Sequence, residues 1–398
     1  MSEKNLKPLG RSEVGSVAAR IFATMAEAAR DRGPVSGWTH NFYRYPARFS
    51  PTFAAAAIEC FSKPGGVIAD PYMGGGTTIV EGMVAGRNVL GNDLNSLAAF
   101  VTKVKITPLG DDEVSAINAW AAQEIPGFKY RVPADDVRPF IDQTKIRNLS
   151  LVRGRFIKKA VGAALTSIAN LPTTNAQDFA RCAVLRAAQW ALDGRSRHTP
   201  LGDFRAKLAR VILEMVEAIA LFAVKTAHSG GSARLFNVDA GVLHQTPFFP
   251  ESGVDLVVTS PPYPGVHVLY HRWQVDGRRE TPAPYWIAGC NDGQGASFYN
   301  FGDRRQGAAD KYFRKSVETL RAVRAVMRNG GYMVQMVAFN KPEEQLTRYL
   351  ENMESAGFVE ARFRQSRIWR QVPQRKWHAT YRGQTEAANE VVLIHRAA

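Results

Sequence analysis

Val67-Ile68-Ala69-Asp70-Pro71-Tyr72-Met73-Gly74-Gly75-Gly76-Thr77-Thr78 decides the fold of this 398-residue chain. Val67 to Asp70 reads as a short buried strand ending in an acid. Three successive glycines follow, and they permit a tight turn and close backbone approach to a ligand. Thr77 to Ala85 reads as a helix, and Asn88 to Asp93 as a second strand that again ends in an acid. Strand, glycine turn, helix and strand make a βαβ unit, and open α/β sheets bind ligands at the carboxyl ends of their strands. The turn is not a phosphate loop, because no Gly-Lys-Ser/Thr follows, and it lacks Gly-x-Gly-x-x-Gly spacing.

Upstream, Val14 to Arg30 reads as an alanine-rich helix, residues 33–51 as a Pro-, Gly- and aromatic-rich loop, and Pro51 to Phe61 as a helix. Strand signals thin out from Lys105 to Gly230. Ala176 to Leu192 and Arg205 to His228 carry helical texture, the latter with Leu208, Val211, Ile212, Met215, Ile219 and Phe222 at helical period. This stretch is strongly basic between Lys145 and Arg210. The α/β texture resumes at Arg234, with strands expected at Leu235 to Asp239 and Val254 to Thr259. Pro264 to Arg305 reads as irregular. Then come a helix from Asp310 to Met327, a strand from Gly330 to Phe339, a helix from Glu343 to Ala356, and strands at Val359 to Ile368 and Asn389 to His395.

Apolar residues make up 45% of the chain and charged ones 22%, the balance of an ordinary soluble protein. No apolar run approaches the roughly 18 residues of a membrane span. The polar N-terminus has no signal-peptide core, so a cytoplasmic protein is expected. Cys60, Cys182 and Cys290 lack metal-ligand spacing and read as reduced thiols, and no metal is expected. The net charge is +15 and the pI about 9.8, which points to a polyanionic partner.

Ser260-Pro261-Pro262-Tyr263 directly follows the strand ending at Thr259. A double proline holds the backbone extended and removes two donors, leaving nearby carbonyls free to accept. The exocyclic amine of a base has its lone pair delocalised into the ring. Acceptors that hold its N–H bonds make it a better nucleophile, and Ser260 Oγ and the Pro261 carbonyl are placed to serve. Tyr263 can stack on a base face, which requires the base to leave the duplex. Asp93 can accept hydrogen bonds from ribose hydroxyls or cap the helix after Asn95. Asp239, or an amide near it, can meet an adenine edge or be a solvated turn acid.

These two loops together resemble the amino-group DNA methyltransferases that make N4-methylcytosine or N6-methyladenine. The family's S-adenosylmethionine loop matches Asp70, Pro71, Met73, Gly74, Gly75, Gly76, Thr77 and Thr78. Its catalytic loop matches Ser260, Pro261, Pro262 and Tyr263. Tyr45, Pro46, Ala47, Arg48 and Phe49 are similar to the segment lining the methionine end of the cofactor, and Asp93 and Asp239 match the acids after the second and third strands. The resemblance covers about residues 38–104 and 232–396. It implies an α/β, Rossmann-like class I methyltransferase fold with a mostly parallel sheet, helices on both faces and a mainly helical insertion. Three parts are expected: 1–104 with the cofactor loop, 105–231 as the insertion, for target recognition or dimerisation, and 232–398 with the catalytic loop.

The resemblance implies in-line methyl transfer from S-adenosylmethionine to a flipped base in double-stranded DNA, with no covalent cysteine. Serine at the head of the catalytic loop favours N4-cytosine over N6-adenine. The resemblance also implies a cytoplasmic setting of prokaryotic or phage type, with a homodimer and a cognate restriction endonuclease as partners it would accommodate. An RNA guanine-N2 methyltransferase and an inactive methyltransferase-like DNA-binding protein are the alternatives. Many relatives with Ser-Pro-Pro-Tyr place it before the cofactor loop, whereas here the cofactor loop comes first. Near the C-terminus, Arg364, Arg367, Trp369, Arg370, Arg375, Lys376 and Trp377 interleave cations with aromatics. They are candidate DNA contacts, or a strand pair with one solvated face.

Overall fold

The computed structural model describes residues 11–45, 48–129, 146–149, 154–195, 197–247, 249–264, 272–275, 279–291, 301, 308–339, 342–364, 366–372 and 388–398. Its strands are β1 (Val67–Asp70), β2 (Asn88–Asn92), β3 (Ser232–Phe236), β4 (Val254–Thr259), β5 (Trp273–Val275), β6 (Arg279–Thr281), β7 (Met327–Ala338), β8 (Phe358–Glu360), β9 (Ile368–Val372) and β10 (Ala388–Ala397). The main sheet runs β3-β2-β1-β4-β7-β10-β8, with β9 also pairing β10. Pairs β2·β3, β1·β2, β1·β4 and β4·β7 are parallel, and β10 runs antiparallel to β7, β8 and β9. β5 and β6 form a separate hairpin.

The helices are α1 (Arg11–Arg30), α2 (Pro51–Phe61), α3 (Thr77–Val84), α4 (Ser96–Ile106), α5 (Asp111–Glu124), α6 (Arg155–Ile168), α7 (Thr174–Leu192), α8 (Leu201–Ser229), α9 (Ala283–Ala288), α10 (Ala308–Val326) and α11 (Pro342–Ser355). Side chains alternate across the strands, so the sheet feeds two cores. Ile68, Val89, Leu256 and Val334 enter the core shared with α2, α3, α4, α7 and α8. Ala69, Leu90, Val257 and Met333 enter the other core, with Tyr312, Phe313 and Leu320 of α10 and Leu346 and Tyr349 of α11. The α/β fold with a mostly parallel sheet and helices on both faces is therefore present. Helix starts follow local chemistry. Ser50 caps α2 by accepting from Phe53 N, with Pro51 at the first turn, and Asn95 caps α4 by accepting from Leu97 N.

Three sequence expectations are corrected. The third strand ends at Phe236, not Asp239. Asn92 takes over there, since its side chain donates to Val238 O and accepts from Val238 N, replacing the ladder. The strand expected over Val359 to Ile368 is divided into β8 and β9, both on one side of β10. The chain between them folds back so that Arg362 and Arg367 both reach Glu360. The stretch read as irregular after Pro264 contains the β5–β6 hairpin and α9.

Candidate active site

From β1 the chain moves to β2 and β3 on one side, then returns to place β4 on the other side of β1. That reversal opens a crevice at the carboxyl ends of β1 and β4, where open α/β sheets bind ligands. Asp70 and Thr259, 189 residues apart in sequence, are thereby neighbours. Ala69 pairs Val257 in parallel register, and each strand delivers one loop into the crevice. Thr259 Oγ1 donates to Asp70 Oδ1 at 2.6 Å, and Thr78 Oγ1 donates to Val258 O at 3.1 Å. Asp70 is buried, and it also accepts from Tyr72 N at 3.1 Å. Burial pushes its carboxyl up to about 7, against the hydrogen bonds from Thr259, Thr78 and Tyr72. Asp70 thus ties the two loops together.

Gly74 and Gly76 take left-handed φ angles of 47° and 74°. A Cβ on Gly76 would lie 2.6 Å from Thr102 Oγ1, and one on Gly75 would lie 2.9 Å from Tyr45 Cβ. Both conformation and crowding therefore require glycine here. Behind the loop, the buried Lys105 of α4 donates from Nζ to Gly75 O at 2.5 Å. Burial lowers its ammonium to about 7, and the nearby Arg48 guanidinium adds to the effect. Arg48 itself donates to His40 O at 3.0 Å. Phe49 is buried against Phe53 at a ring separation of 5.4 Å.

Asp93 follows β2. Its Oδ2 accepts from Gly74 N at 2.9 Å, and its Oδ1 accepts from Asn95 N at 2.8 Å. The capping role at α4 belongs to Asn95. Burial pushes the Asp93 carboxyl up to about 6, against those two backbone hydrogen bonds. Each carboxylate oxygen retains further acceptor capacity. Asn95 links the cofactor loop to the later chain: its Nδ2 donates to Tyr45 OH at 3.3 Å, and its Oδ1 accepts from Tyr285 OH at 3.0 Å. Asn92 joins three strand ends by donating to Pro71 O and bonding Val238. Sequence reasoning passed over Asn92, Asn95, Lys105 and Tyr285. The signal for Asn92 was available in its place at a strand end, while the partners of Asn95, Lys105 and Tyr285 are set only by the fold.

Ser260 Oγ is half-buried, 3.0 Å from Met336 O and 3.1 Å from Tyr263 OH. Tyr263 OH lies 3.2 Å from Glu390 Oε1. Glu390 is buried on β10 and paired with Arg370 directly across from it on β9, at 2.5 Å. Tyr312 OH donates to Pro262 O at 2.9 Å, whereas no described group donates to the Pro261 carbonyl. Tyr72, Phe301 and Tyr312 form an aromatic row beside the loop, at ring separations of 5.8 and 5.7 Å.

The remaining expected residues are more dispersed. Asp239 caps a short 3-10 turn through Gly241 N and pairs with Lys315 at 3.0 Å. Arg367 pairs with Glu360 at 2.6 Å, Arg364 lies over the Phe22 ring, and Trp369 is exposed. Pro46, Ala47, Arg375, Lys376 and Trp377 lie outside the described residues.

The sheet order, with a glycine loop after β1 and Ser-Pro-Pro-Tyr after the adjacent β4, defines a Rossmann-like α/β architecture. The DNA methylase family matches residues 24–100, and over that stretch the chain is similar to its members. It is similar to the type II methyltransferase M.MvaI of Kocuria varians, with 38% identity over 80 residues, 19% of this chain and 18% of that protein. It is also similar to the type II methyltransferase M.MjaII of Methanocaldococcus jannaschii, with 31% identity over 67 residues, 17% of this chain and 13% of that protein. The chain thus matches less than a fifth of the length of either relative. The structure of TrmN from Thermus thermophilus aligns with 90% of this chain and 52% of its own, at 13% identity and a TM-score of 0.34. Among the described residues no helix is long and apolar enough to cross a membrane.

Proposed function

We propose that this protein is a DNA methyltransferase that uses S-adenosylmethionine to methylate the exocyclic amine of a flipped base, with N4 of cytosine the favoured target. One observation carries the reading: the glycine loop and Ser260–Tyr263 leave adjacent parallel strands and are joined by the Thr259–Asp70 hydrogen bond. The donor set fits the cofactor. A ribose diol needs two acceptors, and the half-buried Asp93 carboxylate offers them beside Gly74. Tyr45 and Gly74–Gly76 would hold the rest of the nucleoside and the methionine end. When bound, S-adenosylmethionine supplies an electrophilic methyl group on a sulfonium.

The chain's own residues orient the amine. Tyr263 donates to Glu390, which is ion-paired with Arg370 and is the stronger acceptor within its reach. Ser260 then donates either to Met336 O or to Tyr263, so its proton points into the protein in both cases. Its lone pairs, with the Pro261 carbonyl, are left to accept from the amine and to favour a pyramidal nitrogen. Work of this kind is positioning and electrostatics rather than covalent chemistry. Residues 105–231 would serve recognition, and double-stranded DNA is the substrate.

The test is incubation of the purified chain with labelled cofactor and either duplex DNA or RNA, followed by mass spectrometry of the nucleosides. Methylated amino groups in DNA are expected. Label confined to RNA would replace this reading with the guanine-N2 alternative.

A further inference from the structure

We infer that the DNA backbone docks on the turn between α7 and α8, against a cluster of arginines centred on Arg195 and Arg197; this rests on the DNA methyltransferase reading above. The surface cations differ in whether they have a counter-charge. Of the C-terminal arginines singled out by the sequence and described in the structure, Arg367 is paired with Glu360, which Arg362 shares, and Arg370 with the buried Glu390, while Arg364 lies over the Phe22 ring. By contrast, Arg44, Arg155, Arg195 and Arg197 are exposed, and none has an acidic partner within ion-pair distance among the described residues.

Two of these cations are held by aromatic faces instead. The Arg195 guanidinium lies 4.7 Å from the ring of the exposed Trp190, and its Nε donates to Trp190 O at 2.7 Å. The Arg155 guanidinium lies 4.6 Å from the Phe156 ring, which meets His198 edge-on at 5.8 Å. Such contacts restrict a long side chain without cancelling its charge, which lowers the entropy cost of a later contact with phosphate.

The cluster is continuous and leads toward the crevice. Arg44 is pinned by Gln189 through both backbone groups, at 3.2 and 2.9 Å. Gly194 N donates to Gln274 O on β5 at 2.8 Å, and Asp193 takes its carboxylate inward onto Gln274 N at 3.0 Å. The neighbouring Trp273 donates to Tyr43 OH at 3.0 Å, and the Tyr43 ring meets that of Tyr45, which packs on the glycine loop. The cationic turn, the β5–β6 hairpin and the cofactor loop are therefore joined by direct contacts. A polyanion is the ligand chemistry that fits preorganised cations on a chain of net charge +15. Duplex DNA, rather than an acidic protein, is favoured by the link to the crevice.

The test uses the full-length protein and the double variant Arg195→Ala/Arg197→Ala, with Arg195→Lys/Arg197→Lys as a charge-retaining control. Binding of labelled duplex DNA and of an RNA hairpin is measured by anisotropy across a salt series, alongside cofactor affinity and steady-state methylation. The alanine variant should bind DNA at least 10-fold more weakly. Its log–log salt slope should be shallower by about 1.8, as two lost phosphate contacts require. KM for DNA should rise while kcat and cofactor affinity stay near wild type, and the lysine control should recover most of the binding. Unchanged DNA affinity and salt slope in the alanine variant, with wild-type protein active on DNA, would overturn the docking surface alone. Wild-type preference for RNA in both binding and methylation would overturn the parent reading with it.

Discussion

In the proposed reaction, Ser260, Tyr263 and Asp93 have different tasks. Ser260→Ala removes an acceptor for the target amine and should lower kcat by roughly 100-fold, the scale of losing one oriented polar group at a reacting centre. Tyr263→Ala should also lower turnover strongly. Tyr263→Phe keeps the ring but breaks the link to Glu390, and a smaller fall of about 10-fold is expected. In all three, cofactor affinity measured by calorimetry should remain near wild type; joint loss of cofactor binding would mean that the loop is misassigned. Asp93→Ala should do the reverse and weaken cofactor binding by roughly 10-fold or more, as expected for losing hydrogen bonds to a charged group. Because burial pushes the Asp93 carboxyl up to about 6, wild-type cofactor affinity should fall as pH drops through that value, and affinity that is flat from pH 5 to 8 would contradict the ribose role. The motif residues were legible because each loop is continuous in sequence. Glu390 and Asn95 were not, because their partners at Tyr263 and Tyr285 meet them only after the sheet closes.

At the scale of elements, the join between β1 and β4 sets the crevice. Asp70 carries a pH signature there. Its carboxyl is raised to about 7 in the folded state from an ordinary value near 4. Between about pH 4 and 7 the folded chain keeps a proton that the unfolded chain releases, so ionisation costs stability as pH rises across that window. Asp70→Asn should flatten this component, and the difference in Tm between wild type and variant should change across pH 5 to 8. A constant difference would contradict it. Gly76→Ala puts a Cβ at 2.6 Å from Thr102 at a φ of 74°, and should cost about 1–3 kcal/mol in a denaturant titration.

Much of this level was legible in the sequence. β1, α2 and β4 begin and end where their apolar runs and caps do. The β5–β6 hairpin was hidden because three-residue strands leave no period to read. The β8–β9 break was hidden because its cause, two arginines turning onto Glu360, is a tertiary contact.

At the scale of the molecule, the excess of positive charge is unevenly neutralised. Sequence alone pointed to the C-terminal arginines, because no acid stands among them. The sheet then brings Glu360 and Glu390 to Arg367 and Arg370, which no reading of local composition could register. The helices between β2 and β3 are legible as a change of texture, yet their cations gain meaning only from the aromatic rings and the hairpin beside them. In the proposed function, paired loops at the β1–β4 switch transfer a methyl group to a base in DNA. The most direct measurement is mass spectrometry of nucleosides from duplex DNA after incubation with labelled S-adenosylmethionine and either wild-type protein or Ser260→Ala. N4-methylcytosine should accumulate with the wild type and fall by about 100-fold with the variant. N6-methyladenine would retain the reaction and change only the base. No methylated amino group in DNA, or equal yields from wild type and variant, would contradict the account.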